Sequence, residues 1–157
     1  MRPERSGLEL RIPPPVVAVV FAAGMWAVAR ASVRLASAGP GRVAVACTLF
    51  ALGVLCAGSA AVAFRRWKTT INPHKPEESS SLVRSGPFRF TRNPMYLGLL
   101  AALLGWAVWL GAPWSLLGPV AFFFYIQRFQ IVPEERVLVG KFGAEYEQYR
   151  RAVRRWL

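Results

Sequence analysis

The sequence predicts an all-α integral membrane protein of four transmembrane helices, with a cytoplasmic loop between helices two and three and a C-terminal amphipathic helix. Hydrophobic residues make up 54% of the 157-residue chain and charged residues only 18%, and the apolar residues stand in long blocks. The Lys and Arg residues are concentrated on alternate connections between those blocks. Both features are typical of a polytopic membrane protein.

Four apolar stretches are candidate spans; a span requires about 20 residues because the hydrocarbon core is about 30 Å thick. They run from Pro15 to Ala31, from Val43 to Phe64, from about Met95 to Leu110, and from Trp114 to Val132. The third is short, and Trp106 and Trp109 lie near its far end, at the interfacial depth that tryptophan prefers. The link Gly111-Ala112-Pro113 only turns the chain, so helices three and four are expected to form a tight hairpin.

The first stretch has a second interpretation. Arg2, Arg5 and Arg11 precede it, and it ends in Ala29-Arg30-Ala31, which fits the A-x-A cleavage pattern of a secretory signal peptide. The apolar run is longer than a signal-peptide core, so a retained membrane helix is favoured.

Lys and Arg are distributed unequally between the two sides of this topology. The N-terminal tail carries three, residues 65–92 seven and the part from residue 128 onward seven, against three between the first two helices and none in the hairpin turn. The bias of 17 to 3 places both termini and the long loop on the cytoplasmic side of a bacterial-type inner membrane. Nucleic acid is not an expected partner, because the basic residues border apolar helices, where anionic membrane lipids are simpler partners.

Residues 1–66 and 67–157 have different expected roles. The first two helices contain no acidic residue and are assigned to a scaffold. The loop that follows contains apolar residues that a merely solvated linker would not need, namely Leu82, Val83, Phe88 and Phe90. We therefore expect the loop to fold back onto a cap at the membrane face.

After Pro133 the chain turns polar, and apolar residues recur at spacings of three or four: Leu138, Phe142, Tyr146, Tyr149 and Val153. This spacing predicts an amphipathic helix. Two roles are open to it: the helix rests on the bilayer surface, or it closes a pocket as a lid.

Composition excludes several kinds of catalytic site. The chain has one histidine, His74, and no aspartate, so neither a Ser-His-Asp triad nor a His-rich metal site is available, and no metal is expected. The glycines form neither a phosphate-binding loop nor a dinucleotide-binding fingerprint.

Two segments carry a resemblance to a known family. The stretch from Ser81 to Gly98, SLVRSGPFRFTRNPMYLG, resembles the core motif of the isoprenylcysteine carboxyl methyltransferase family and its phospholipid methyltransferase relatives, in which L-V-x-S-G-x-Y/F precedes R-H-P-x-Y. The later stretch PEERVLVGKFGAEYEQY, from Pro133 to Tyr149, is similar to that family's E-E-x-x-L…F-G-x-x-Y-x-x-Y ending. The resemblance covers about residues 72 to 155.

The resemblance implies a membrane enzyme that holds S-adenosylmethionine in a cytoplasmic pocket capped by the C-terminal helix, with a lateral opening for a lipid-like acceptor. Carried over by position, the cofactor-binding residues are His74, Ser81, Leu82, Val83, Phe88, Asn93, Pro94, Met95, Tyr96 and Glu134. The predicted catalytic residues are Arg92, Arg128 and Glu134, and the predicted acceptor-binding residues are Arg92, Arg128 and Gln130. Arginine suits an anionic head group, although lipid phosphate is an equal alternative for Arg128.

Two positions depart from the family pattern. Asn93 replaces the histidine of R-H-P-x-Y, so it can form hydrogen bonds but cannot act as a base near neutral pH. Gln130 occupies the place of a family arginine associated with the acceptor. The acceptor is therefore bound differently or is not a prenylcysteine.

The leading prediction is an S-adenosylmethionine-dependent methyltransferase that methylates the carboxyl group of an isoprenylcysteine-like or other isoprenoid or lipid acceptor. A carboxylate is already nucleophilic, so positioning and exclusion of water would supply most of the catalysis. The alternatives are a phospholipid N-methyltransferase, a non-catalytic membrane protein for assembly or lipid sensing, and, less favoured, a reductase with a nicotinamide cofactor.

Overall fold

The structure is a computed structural model that describes residues 9–33, 39–66 and 82–157, and all regular secondary structure in these ranges is helical. The helices are α1 (Pro14–Ala31), α2 (Pro40–Arg66), α3 (Pro94–Leu110), α4 (Leu117–Ile126), α5 (Val132–Phe142) and α6 (Ala144–Ala152). Short 3-10 turns lie at Gly86–Arg89 and Pro113–Leu116, and a π-helical turn at Gln127–Ile131 joins α4 to α5. The all-α prediction is confirmed for the described residues.

Three helical stretches are long and apolar enough to cross a membrane: Pro14–Ala31, Pro40–Arg66 and Pro113–Phe142. The predicted third span corresponds to α3, which is apolar but has only 17 residues. Large apolar side chains on the first two helices are exposed in the isolated chain, for example Val19, Val20 and Leu55. Such outward-facing apolar side chains suit a lipid environment.

Helices α2 and α3 pack with their backbones in contact. A Cβ atom added at Gly53 would lie 2.5 Å from the carbonyl oxygen of Gly98, and one added at Gly98 would lie 2.5 Å from that of Gly53. Only glycine permits this distance, and small residues at helix crossings are typical of membrane proteins. The crossing places the end of α2 beside the start of α3, where the Cys56 thiol donates to the Pro94 carbonyl oxygen at 3.2 Å.

The largest apolar core lies between α1, α3 and α4. Phe122 and Ile126 of α4 are fully buried there, and the rings of Phe21 and Phe122 meet edge to face with centroids 5.9 Å apart. Trp106 of α3 donates its indole hydrogen to the Ala22 carbonyl oxygen of α1 at 3.0 Å. Helix α1 is thereby fixed across the α3–α4 hairpin.

The last spanning helix differs from its predicted form. The helical path runs on through Val132 to Phe142, beyond the predicted end, and contains the π-helical turn. Pro133 has no backbone N–H, so it cannot donate to the carbonyl of Phe129 four residues earlier. The backbone N–H of Leu10 donates to that carbonyl instead, at 3.1 Å. An N-terminal segment thus satisfies the acceptor that the proline leaves open.

The C-terminal amphipathic helix is also divided, which corrects the expectation of one continuous helix. Gly143 separates α5 from α6 with φ 48° and ψ −124°, a conformation that side chains with a Cβ atom rarely adopt. Tyr146 and Tyr149 remain buried after the break. The apolar periodicity therefore identified the buried face, although the backbone turns in the middle of it.

Candidate functional site

Tyr96 and Glu134 form a buried pair between α3 and α5. Tyr96 lies in the first turn of α3 with 7% of its surface exposed, and Glu134 lies in the first turn of α5. The Tyr96 hydroxyl donates to Glu134 Oε2 at 3.0 Å. Both were predicted to bind the cofactor, and the structure brings them together although they are 38 residues apart in the chain.

The neighbouring carboxylate, Glu135, has a different environment. Arg92 donates to Glu135 Oε1 from Nε at 3.2 Å and from Nη2 at 2.7 Å. Arg155 donates to Oε1 from Nε at 3.1 Å and to Oε2 from Nη2 at 2.6 Å. Within the described residues no cationic group makes an ion pair with Glu134. Of the two adjacent acidic groups, one is neutralised within the protein and the other holds only a tyrosine hydroxyl.

Arg92 is held by the protein through all three guanidinium nitrogens. Besides its bonds to Glu135, its Nη1 donates to the carbonyl oxygens of Arg150 at 3.0 Å and Val153 at 2.6 Å. Its side chain is 8% exposed. Its predicted role as an anion clamp for the acceptor stays a prediction, and an acceptor would have to displace one of these bonds.

Asn93 precedes the first turn of α3 and contacts the C-terminal segment. Its Nδ2 donates to the Arg155 carbonyl oxygen at 2.9 Å, and its backbone N–H donates to Thr91 Oγ1 at 3.2 Å. Pro94 follows as the first residue of the helix and is fully buried. The amide that replaces the family histidine is therefore used to hold the chain terminus.

Three residues predicted to line the cofactor pocket, Val83, Phe88 and Met95, pack into one apolar cluster against the end of α2. The rings of Phe64 in α2 and Phe88 meet edge to face with centroids 5.1 Å apart. The loop residues from 82 onward thus fold back as expected. Helix α2, which the sequence assigned to the scaffold, forms one wall of this cluster.

Two tyrosines of α6 close the same region. Tyr149 donates its hydroxyl to the Phe88 carbonyl oxygen at 2.8 Å, and burial raises the pKa of Tyr149 to about 12. Burial, and after it the negative charge of Glu135, raises the pKa of Tyr146. Neither was predicted as a site residue, although both belong to the apolar stripe and to the second motif.

The remaining predicted residues lie elsewhere. Arg128 contacts the N-terminal segment, where its Nη1 lies 3.0 Å from Glu9 Oε1. Gln130 is fully buried in the π-helical turn, and its Nε2 donates to the Ile12 carbonyl oxygen at 2.9 Å. Leu82 is partly buried. His74 and Ser81 lie outside the described residues.

The part of the structure missed by sequence reasoning is the ion cluster of Glu135 and Arg155. Glu135 stood beside Glu134 in the second motif, which was an available signal. Arg155 lies among several C-terminal arginines of similar appearance, so its role could not be read from the sequence.

Comparison with known proteins gives a consistent picture. A family model described as phospholipid methyltransferase matches residues 41–145. A 63-residue stretch is 51% identical to an uncharacterized protein of Haemophilus influenzae, covering 40% of this chain and all of that protein. No solved structure gives a significant match.

Two yeast proteins named protein-S-isoprenylcysteine O-methyltransferase are also similar. The Schizosaccharomyces pombe protein is 37% identical over 110 residues, which are 66% of this chain and 46% of that protein. The Saccharomyces cerevisiae protein is 35% identical over 82 residues, which are 50% of this chain and 33% of that protein. The chain thus spans less than half the length of either yeast relative.

Proposed function

The chain belongs to the phospholipid methyltransferase family, and from this membership we propose that it is an integral-membrane methyltransferase that uses S-adenosylmethionine. We further propose that α3 completes a bundle of four spans as a short helix, with the Tyr96–Glu134 pair at the cytoplasmic face. The bias of 17 to 3 in Lys and Arg supports cytoplasmic termini in a bacterial-type inner membrane.

The observation that carries the cofactor proposal is the buried Glu134 carboxylate with no cation of the described residues beside it. S-adenosylmethionine supplies an electrophilic methyl group on a positively charged sulfonium, and it also carries an ammonium and ribose hydroxyls. Glu134 would hold one of these cationic or donor groups, with its orientation fixed by Tyr96. The apolar cluster of Val83, Phe88 and Met95 would supply a wall for the adenine ring.

For the acceptor, we propose the carboxyl group of an isoprenylcysteine-like or other lipid-like molecule. The names of the two yeast relatives support this choice. A carboxylate needs no base, so the described residues would act by holding the two substrates in line and by excluding water. The proposed role of Arg92 and Arg128 is to bind the acceptor's negative charge, and lipid phosphate remains the other candidate for Arg128.

One observation favours a second candidate, N-methylation of an amine-bearing phospholipid. The Nε2 group of Gln130 is occupied by the Ile12 carbonyl, which fixes the orientation of the amide. Its Oε1 is buried and has no hydrogen-bond partner among the described residues. This oxygen can accept a hydrogen bond from an N–H donor but cannot bind a carboxylate. An amine acceptor would also need a proton path, for which Glu134 and Tyr96 are candidates.

Binding of S-adenosylhomocysteine by the detergent-purified protein tests the cofactor proposal. Calorimetry should detect binding to the wild type, weakened by Glu134→Gln or by Tyr96→Ala. Glu147→Gln is the matched control, because Glu147 makes only a partly exposed ion pair with Arg150 on α6. A folded wild type that shows no binding would contradict the enzyme proposal and favour a non-catalytic membrane role.

The acceptor is tested with methyl-labelled cofactor and two substrates presented in lipid, a farnesylcysteine analogue and phosphatidylethanolamine. Label that is released by mild base indicates a methyl ester. Label that resists base and stays with the phospholipid indicates N-methylation.

A further inference from the structure

The last residues of the chain pair with the segment that leads into α3. The backbone N–H of Arg92 donates to the Arg154 carbonyl oxygen at 2.9 Å. Thr91 Oγ1 and Asn93 Nδ2 both donate to the Arg155 carbonyl oxygen, at 3.1 Å and 2.9 Å. Each of the three residues before Pro94 is therefore bonded to the C-terminal segment, which we define as Val153–Trp156.

The same segment is also attached to the last spanning helix. Arg155 grips Glu135 of α5 through two nitrogens. Trp156 donates its indole hydrogen to Gln127 Oε1 at 3.0 Å, and its ring lies against Phe123 with centroids 4.8 Å apart. The C-terminal segment thus connects the start of α3 to α4, the π-helical turn and α5.

This connection lies next to the proposed cofactor site. Glu135 follows Glu134 directly, and Arg92 stands one helical turn before Tyr96. The Arg92–Glu135–Arg155 cluster therefore spans the same two elements as the Tyr96–Glu134 hydrogen bond. A displacement of about 1 Å between α3 and α5 would break that hydrogen bond, whose length must stay near 3 Å.

A buried ion cluster is a costly means of holding two helices together. Removing charged groups from water costs several kcal/mol per ion, and apolar side chains of similar volume often stabilise a fold as well or better. What the paired guanidinium groups add is a fixed geometry, because each planar fork meets the carboxylate in one orientation. The cluster is thus suited to setting a distance.

We propose that the C-terminal segment is a positioning element of the methyl-transfer site, in which Arg155 and Glu135 set the Tyr96–Glu134 geometry without touching the cofactor. This inference rests on the proposed function. Arg155 is a positioning residue, because all of its described side-chain bonds are to Glu135.

The test compares Arg155→Ala and Arg155→Lys with the control Arg151→Ala, which alters an exposed arginine of α6. We expect Arg155→Ala to weaken S-adenosylhomocysteine binding about tenfold and to raise the KM for S-adenosylmethionine similarly, with the acceptor KM unchanged. Arg155→Lys keeps the charge but loses the fork, so it should fold as the wild type does and weaken binding about threefold.

These outcomes separate positioning from general stabilisation. A role in folding alone would reduce the active fraction and hence the apparent kcat, and it would leave the cofactor KM and the binding constant of the folded protein unchanged. That result would overturn the inference while leaving the proposed function intact. Absence of S-adenosylhomocysteine binding in the wild type would overturn the proposed function, and the inference with it.

Discussion

Tyr96 donates a hydrogen bond of 3.0 Å to Glu134 and so joins the first turn of α3 to the first turn of α5. Tyr96→Phe would keep the ring in its buried place and remove only the hydroxyl. A single hydrogen bond contributes about 1 kcal/mol, so we expect calorimetry to show about fivefold weaker S-adenosylhomocysteine binding.

Tyr125→Phe is the matched control for this prediction. The Tyr125 hydroxyl is buried, and no described residue forms a hydrogen bond with it. Its removal should leave the affinity unchanged. Equal affinities of the two variants would show that the Tyr96–Glu134 bond has no part in cofactor binding.

The helices that depend on apolar length were predictable from the sequence. The stretch predicted as Pro15 to Ala31 is the helix Pro14–Ala31, and the one predicted from about Met95 to Leu110 is Pro94–Leu110. The π-helical turn was not predictable in this way. It depends on the missing N–H of Pro133 and on Leu10, which lies more than a hundred residues earlier and donates to the freed carbonyl.

Prediction of the site has a similar limit. The two motifs identified Tyr96 and Glu134, which the structure joins. They also marked Arg92 as a ligand for an acceptor, whereas in the structure its donors are directed to Glu135 and to backbone carbonyls. Which arginine pairs with which carboxylate is decided by the path of the C-terminal segment, and local sequence patterns do not encode that path.

The close crossing of α2 and α3 predicts a strong position dependence of Gly→Ala substitutions. At Gly53 a new Cβ would lie 2.5 Å from a backbone oxygen of α3, whereas at Gly58 of the same helix nothing lies within 4 Å. Gly53→Ala should therefore lower stability by about 1–3 kcal/mol, and Gly58→Ala should be neutral or slightly stabilising. Denaturation of both variants in detergent measures the difference. Equal stabilities would contradict the helix crossing described here.

The break between α5 and α6 predicts a second contrast between glycines. Gly143 has φ 48°, and Gly140 is helical; a Cβ atom at either position meets no atom within 4 Å. Any loss in Gly143→Ala therefore arises from backbone strain, for which about 1–3 kcal/mol is typical. Gly140→Ala should gain up to about 1 kcal/mol of helix propensity. A Gly143→Ala variant as stable as the wild type would show that the chain can continue as one helix through this point.

Tyr149 predicts a loss of stability in alkaline solution. Its pKa is raised from 10.0 to about 12 in the folded protein, mainly by burial, so its contribution to stability is fully present below pH 10 and is lost as the pH rises toward 12. Ionisation removes the hydrogen that Tyr149 donates to the Phe88 carbonyl oxygen and leaves two acceptors 2.8 Å apart. The measurement is the melting temperature of the wild type and of Tyr149→Phe between pH 8 and 12. Tyr149→Phe should be less stable at pH 8, because it lacks this hydrogen bond, and its melting temperature should fall less steeply above pH 10. Parallel curves for the two proteins would mean that Tyr149 is not buried against the loop as described.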